Sequence, residues 1–250
     1  AAENPALSAS PPPAAEPPPE AANPDAGADD PPEAAKIVFI YHSHPEESFL
    51  PELPGADSAD EAFDGNRPDR TVAAVGQYLA ESLEKLGIGA VHSGVPYPWR
   101  GAYNESRKTV KAAMAAHREL TYFFDVHRDA ARAEKTRLTR GGTSYARLFF
   151  VVGSKNPDYE KNQALAEELH YRIEAKVKGI SRGVVVKKDG SNGEFNQSLS
   201  PNSLLIEFGG VDNTLEECFR TAEVLAEAIA ELHRERSGAV PANARPAQGG

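Results

Sequence analysis

Between residues 37 and 232, short and almost continuously apolar runs alternate with longer stretches in which apolar residues recur at helical spacing. Ile37, Val38, Phe39, Ile40 and Tyr41 form the first such run and read as a buried strand. Val72, Val75, Leu79, Leu83 and Leu86 then fall on one helical face. Gly87 supplies the residue at which such a helix turns left-handed and stops. Continued along the chain, the pattern predicts a strand over 88–91, a helix over 105–119, strands over 120–126 and 145–152, and a helix over 159–178. Strands over 183–186 and 204–208 and a helix over 215–232 follow, the last with Asp212, Asn213 and Thr214 as candidate side-chain caps. Strands that are apolar on both faces need cover on both faces, so the expected fold is α/β, a three-layer sandwich around a mostly parallel central sheet.

The flanks cannot join that core. Residues 1–36 are almost entirely Ala, Pro, Glu, Asp, Asn, Gly and Ser, with proline runs at 11–13 and 17–19. Such a stretch buries too little apolar surface to offset chain entropy and is expected to be a disordered linker, a spacer of extended polyproline character. Residues 237–250 have the same character and form an expected second tail, which leaves 37–236 as the folded domain. A chain of 250 residues supports one such domain with a full core. Its net charge of −10 gives no basic face for nucleic acid, so no nucleic-acid partner is expected.

Cys218 is the single cysteine, which removes intramolecular disulfides and thiolate clusters and leaves His and carboxylate as the available transition-metal ligands. No stretch approaches the roughly 18 apolar residues of a membrane span. The chain starts at Ala1 with no Met, from which an upstream segment is expected.

In open α/β sheets the reactive groups collect just beyond the carboxyl ends of the strands. The first strand is followed by His42, Ser43, His44, Pro45, Glu46, Glu47 and Ser48, the 120–126 strand by His127 between Asp125 and Asp129, and the last strand carries Glu207. A catalytic zinc site takes about three His or carboxylate ligands and leaves one position for water, whose proton a nearby carboxylate can remove. His44, Glu47 and His127 are therefore assigned as metal ligands, with Glu207 as general base and then proton donor to the leaving amine. Glu207 is the sharpest of the four, because a carboxyl among Leu205, Ile206 and Phe208 is costly to bury without a partner or a function. A salt bridge to Arg128 is the structural alternative. Asp125 or Asp129 is suited to accept the second imidazole N–H of a ligating histidine. Phosphate-binding glycine loops and a nucleophilic serine elbow are both missing from the sequence.

Segments 41–51 (Tyr41, His42, Ser43, His44 through Pro51), 120–129, 149–153, 156–162, 195–202 and 204–214 resemble, in the same order, those of the stage II sporulation protein P family. The resemblance implies a zinc amidase-like fold and an N-acetylmuramoyl-L-alanine amidase that hydrolyses the amide between the glycan's lactyl group and the stem peptide, with a cross-link endopeptidase activity besides. It implies zinc as cofactor, peptidoglycan as substrate, and a glycan-cleaving partner enzyme during engulfment. It also implies a position on the extracytoplasmic face of the membrane, held by an anchor that this chain lacks.

In the broader zinc amidase group a His, a Glu and a second His hold the metal and a Glu of the last strand is catalytic. His44, His127 and Glu207 match those positions, and Glu47 matches the sporulation family's own pattern. Asp69, with Glu61 and Asp64, is the alternative for the middle ligand. His42 is either a rival of His44 or a substrate-side residue, while Arg128, Arg140, Asn196, Gln197 and Asn202 are candidate contacts for peptide carboxylates and amides. The competing function is an inactive wall- or partner-binding module on the same fold.

Overall fold

Buried strands and the helices that cover them account for more than half of the described residues. The computed structural model describes residues 35–187 and 193–238, which fall within one compact unit, Ala34–Gly250. Of the expected linker over 1–36 and tail over 237–250, residues 1–34 and 239–250 lie outside the described residues, while Lys36 opens the first strand and Ser237 closes the last helix. The elements are β1 (Lys36–Tyr41), α1 (Val72–Lys85), β2 (Gly89–His92), α2 (Ala102–Ala116), β3 (Tyr122–Asp129), α3 (Ala133–Thr136), β4 (Arg137–Arg140), β5 (Thr143–Ala146), β6 (Leu148–Gly153), α4 (Tyr159–Lys176), β7 (Ser181–Lys187), β8 (Ser203–Gly210) and α5 (Leu215–Ser237).

Six strands form one sheet in the order β2-β1-β3-β8-β6-β7. Every neighbouring pair is parallel except β6 with β8, so the sheet is mostly parallel and the fold is α/β as the pattern predicts. Alternate residues of each strand face opposite sides. Ile40, Phe124, Val126, Ile206, Phe208 and Phe150 pack with α1, α4 and α5 in the larger core, while Phe39, Tyr41 and Phe123 pack with Val110 of α2 in the smaller one. These two cores on either side of the sheet make the three layers. Each fully buried side chain of this size contributes about 1.5–3 kcal/mol relative to exposure.

Two features were not legible in the periodicity. The single strand expected over 145–152 is broken at Arg147: β5 pairs antiparallel with β4 as a separate hairpin, and only β6 enters the main sheet. The run of apolar residues is continuous there, but the chain leaves one sheet for the other. The helix expected over 105–119 is shifted to Ala102–Ala116, opened by Gly101 at φ +86°. Gly87 is left-handed at φ +76° after α1, and Thr214 and Glu217 exchange hydrogen bonds at the start of α5, both as the pattern predicts; Thr71, a cap that the pattern did not single out, accepts from the Ala73 N–H.

Close packing of α1 on the strand ends fixes Gly76. A Cβ there would stand 2.4 Å from His42 Cε1. Gly76→Ala is therefore expected to lower stability by about 1–3 kcal/mol, the range for overpacking, as measured by denaturant unfolding. A similar closeness explains Gly210 in the last strand, where a Cβ would meet the Ala131 carbonyl oxygen at 2.1 Å.

Candidate metal centre

β1 and β3 lie side by side and parallel, so the segments that leave their carboxyl ends emerge together. The loop after β1 folds back over that edge: Glu47 and Phe63 form an isolated bridge, as do Ser48 and Thr71. Arg128 fastens this loop, its Nε donating to the Ser48 carbonyl at 2.8 Å and its Nη2 to the Ala62 carbonyl at 2.7 Å. Its backbone N–H also donates to Glu47 Oε2 at 3.0 Å, which aims the carboxylate inward.

This arrangement brings one ligand atom each of His44, Glu47 and His127 within 4.8 Å of one another, and among the described residues this is the group of three that could hold a metal ion. Glu47 Oε2 lies 3.2 Å from His127 Nδ1 and Oε1 lies 3.8 Å from His44 Nδ1. The His44 and His127 rings meet edge to face with centroids 5.1 Å apart. Behind His127, its Nε2 is 2.9 Å from Asp125 Oδ1 and 2.9 Å from Ser43 Oγ, while Ser43 donates from both N and Oγ to Asp125 at 2.7 Å. Asp125 can only accept, so Nε2 carries the hydrogen and Nδ1 is left facing Glu47 for a proton or a metal.

Electrostatics agree with a site built for a cation. Burial would lower the His127 pKa, but Asp125 and Glu47 on either side outweigh it and hold the imidazolium well above the usual histidine range. Burial opposes ionisation of Asp125 and Glu47 too, yet His127 holds both below their ordinary values, helped by Ser43 for Asp125 and by Arg128 for Glu47. Two anions around one imidazole are a charge distribution that a divalent ion would complete. Two His nitrogens and one carboxylate oxygen are also the donor set of a catalytic zinc site with a position left open. Asp125→Asn is expected to weaken zinc binding about 10–100-fold, as read by chelator competition, because it removes the group that orients His127.

Glu207 stands directly across from His127 in the β3–β8 register and across from Phe149 in the β6–β8 register. Its Oε2 is buried with no hydrogen-bond partner. Burial pushes its pKa up to about 8, with the Glu47 and Asp129 charges adding to the rise and His127 opposing it. Among the described contacts it makes no salt bridge to Arg128, whose guanidinium is spent on the loop carbonyls.

The remaining assignments divide. His42 is fully buried on the α1 side, its Nδ1 donating to the Val126 carbonyl at 2.9 Å and its Nε2 against His92 Nε2 at 2.9 Å, so neither nitrogen is available to metal or substrate. Burial and the neighbouring ring lower its pKa to about 3, and burial lowers that of His92 to about 4, so the pair is neutral. Arg128 and Asn196, expected as substrate contacts, both hold partners within the chain: Arg128 clamps the loop, and the buried Asn196 donates from Nδ2 to Ser106 Oγ at 3.0 Å, tying the β7–β8 connection to α2. Gln197 bridges to β6 through the Gly153 N–H and the Val151 carbonyl.

Asn202 precedes β8, about 16 Å along the strand from Glu207 at 3.3 Å per residue. Arg140 is exposed at the end of β4, donating to the Lys178 carbonyl. For the middle ligand, Asp69 is exposed and paired with Arg67 at 2.8 Å, Glu61 accepts from Ser58 and Asp57, and Asp64 accepts from the Asn66 N–H.

Sequence reasoning missed the aromatic wall of the site. Trp99, 56% exposed, stacks on His44 with ring centroids 4.2 Å apart, and Phe63 meets Trp99 edge to face at 5.7 Å. Tyr103 meets the His44 ring edge to face, with centroids 5.5 Å apart. The signal was the one tryptophan of the chain, set after Pro96, Tyr97 and Pro98 in the stretch between the second strand and the second helix.

Fold and site together define an α/β protein in which His44, Glu47 and His127 gather beyond the strand ends as a group that could hold a metal ion. The chain belongs to the Stage II sporulation protein P (SpoIIP) family, whose family model matches residues 13–230. It is 42% identical over 210 residues to Stage II sporulation protein P of Bacillus subtilis (strain 168), an alignment that covers 79% of this chain and 51% of that protein. The chain thus spans about half the length of this curated relative. Among solved structures it is similar to Cwp6 from Clostridium difficile (TM-score 0.47, 18% identity, 79% of this chain and 29% of that one). It is also similar to the N-acetylmuramyl-L-alanine amidase Ami1 from Mycobacterium smegmatis (TM-score 0.47, 15% identity, 80% and 97%). Among the described residues no helix is long and apolar enough to cross a membrane.

Proposed function

We propose that residues 37–236 are the catalytic domain of a zinc-dependent N-acetylmuramoyl-L-alanine amidase, which separates the stem peptide from the glycan of peptidoglycan during sporulation. The observation that carries this reading is the convergence of His44, Glu47 and His127 ligand atoms within 4.8 Å, beside a buried carboxyl oxygen of Glu207 that has no protein partner. Family membership supports it, since the resemblance implies this chemistry. His44, Glu47 and His127 would hold the zinc, which when bound supplies the Lewis acidity that makes water acidic near neutral pH.

The chain's own residues do the rest. Asp125 keeps His127 in one tautomer and orientation. Glu207 accepts the proton of the attacking water at Oε2 and returns it to the amide nitrogen as the C–N bond breaks and the new C–O bond forms. A group that both accepts and donates within one turnover works best with a pKa near the operating pH, and burial raises Glu207 toward that range. A cation at the centre would favour its ionised form.

A wall substrate puts the enzyme on the extracytoplasmic side, where a glycan-cleaving enzyme would act on the same strands. Mass analysis of soluble fragments from purified wall tests the reading. Stem peptides with a free L-alanine amino terminus, released by the protein and abolished by a chelator, are the expected product. Wall binding with no release would favour the inactive binding module instead.

A further inference from the structure

One face of the sheet carries a row of chemistry that extends past the metal centre. His127, Glu207 and Phe149 are consecutive partners across β3, β8 and β6. On β7 the next position is filled by Arg182, whose guanidinium carbon lies 4.6 Å from the Phe149 ring centroid and whose Nη1 donates to Asp129 Oδ2 at 2.7 Å. The helix that covers this face, α2, packs over β1 and β3 through Phe39, Tyr41, Val110 and Phe123. Glu207, Phe149 and Arg182 are consequently only partly buried, and the Arg182 side chain keeps 22% of its surface open. At the other end of the row, beyond His44, stands the exposed ring of Trp99.

This order gives the site a direction. Glu207 delivers the proton to the leaving amine, so the amine and the peptide it begins must lie on the Glu207 side of the centre. The acyl and glycan side then faces His44 and the Trp99 ring, which suits the apolar face of a sugar. From Glu207 the peptide passes over the β6 strand, about 4.8 Å away, toward the guanidinium. Two residues of extended chain cover about 7 Å, so the group that meets Arg182 belongs to the second residue after the scissile bond.

We propose that Arg182, steadied by Phe149 and Asp129, is a carboxylate-binding subsite for the second residue of the stem peptide. The proposal rests on the amidase reading for the direction of the peptide and deepens it by naming which part of the substrate is recognised. Stem peptides offer the required group, because glutamate at that position is joined onward through its side chain and leaves its α-carboxylate free. Arg presents a planar fork that suits carboxylate, and packing over a ring holds the fork in place. With one N–H on Asp129, the guanidinium has further donors for an incoming carboxylate.

The test is titration calorimetry of the protein in zinc-containing buffer with the tripeptide L-Ala-γ-D-Glu-L-Lys and with the same tripeptide amidated at the glutamate α-carboxylate. The wild-type protein is expected to bind the acid at least about 10-fold more tightly, the usual worth of a charge-assisted hydrogen bond. Arg182→Ala should erase that preference and Arg182→Lys keep part of it. Equal affinity of the wild type for the two tripeptides, or an undiminished preference in Arg182→Ala, would overturn the subsite, and the first comparison needs no variant. A protein that prefers the acid but releases no stem peptide from wall sinks the amidase reading and leaves the subsite. One that cleaves wall without discriminating does the reverse.

Discussion

Glu207→Gln is expected to retain a full equivalent of zinc and an unchanged fold while wall cleavage falls about 10²–10⁴-fold, the range for losing a positioned general acid–base group. The amide has the shape of the carboxyl and cannot take up a proton in the role assigned to Oε2. Stability should not suffer, because Oε2 has no hydrogen-bond partner to lose and burial already opposes its charge. Zinc content by elemental analysis and peptide release on the same preparation check both halves. Loss of zinc in this variant would make Glu207 a ligand; unchanged turnover would remove it from the chemistry.

His127→Ala is the second large effect, and its signature is different. The variant loses a ligand and also leaves Asp125 and Glu47 without the imidazolium that holds both ionised. Zinc affinity is expected to fall by more than about 100-fold, beyond what loss of an orienting group alone produces, with peptide release falling below detection. The unfolding midpoint should drop as well, since a buried carboxylate stripped of its partner is costly. Equilibrium dialysis against zinc separates this outcome from Glu207→Gln, which should bind normally.

The contrast between these two residues is also where the sequence was most readable. His127 follows a run over 122–126 that is apolar but for Asp125, and Glu207 interrupts another apolar run, so each stands out against its background. His44 and Glu47 were harder, because the loop after β1 holds two histidines and several acids that no periodicity ranks. The structure separates them by facing. His42 turns toward α1 and packs on Gly76, whereas His44, two residues on, sits beyond the strand end where alternation no longer governs direction.

Side chains assigned by chemistry alone turn out to hold partners within the chain. Arg128, Asn196 and His42 are polar and near the right strand ends, but each satisfies buried backbone or side-chain groups, a demand that composition and spacing do not reveal. The β4–β5 hairpin escaped for a related reason: a continuous apolar run has no mark for where it changes sheet. Arg182, proposed above as a peptide subsite, did not stand out because it lies two strands from Glu207 in space and 25 positions away in sequence.

The central claim is that His44, Glu47 and His127 together hold one zinc ion. A crystal structure of the zinc-loaded protein with anomalous data at the zinc edge tests it most directly. One peak is predicted, with distances of about 2.0–2.2 Å to a nitrogen of His44, a nitrogen of His127 and a carboxylate oxygen of Glu47. A peak held by Asp69 or His42, or no peak in the presence of excess zinc, would contradict it.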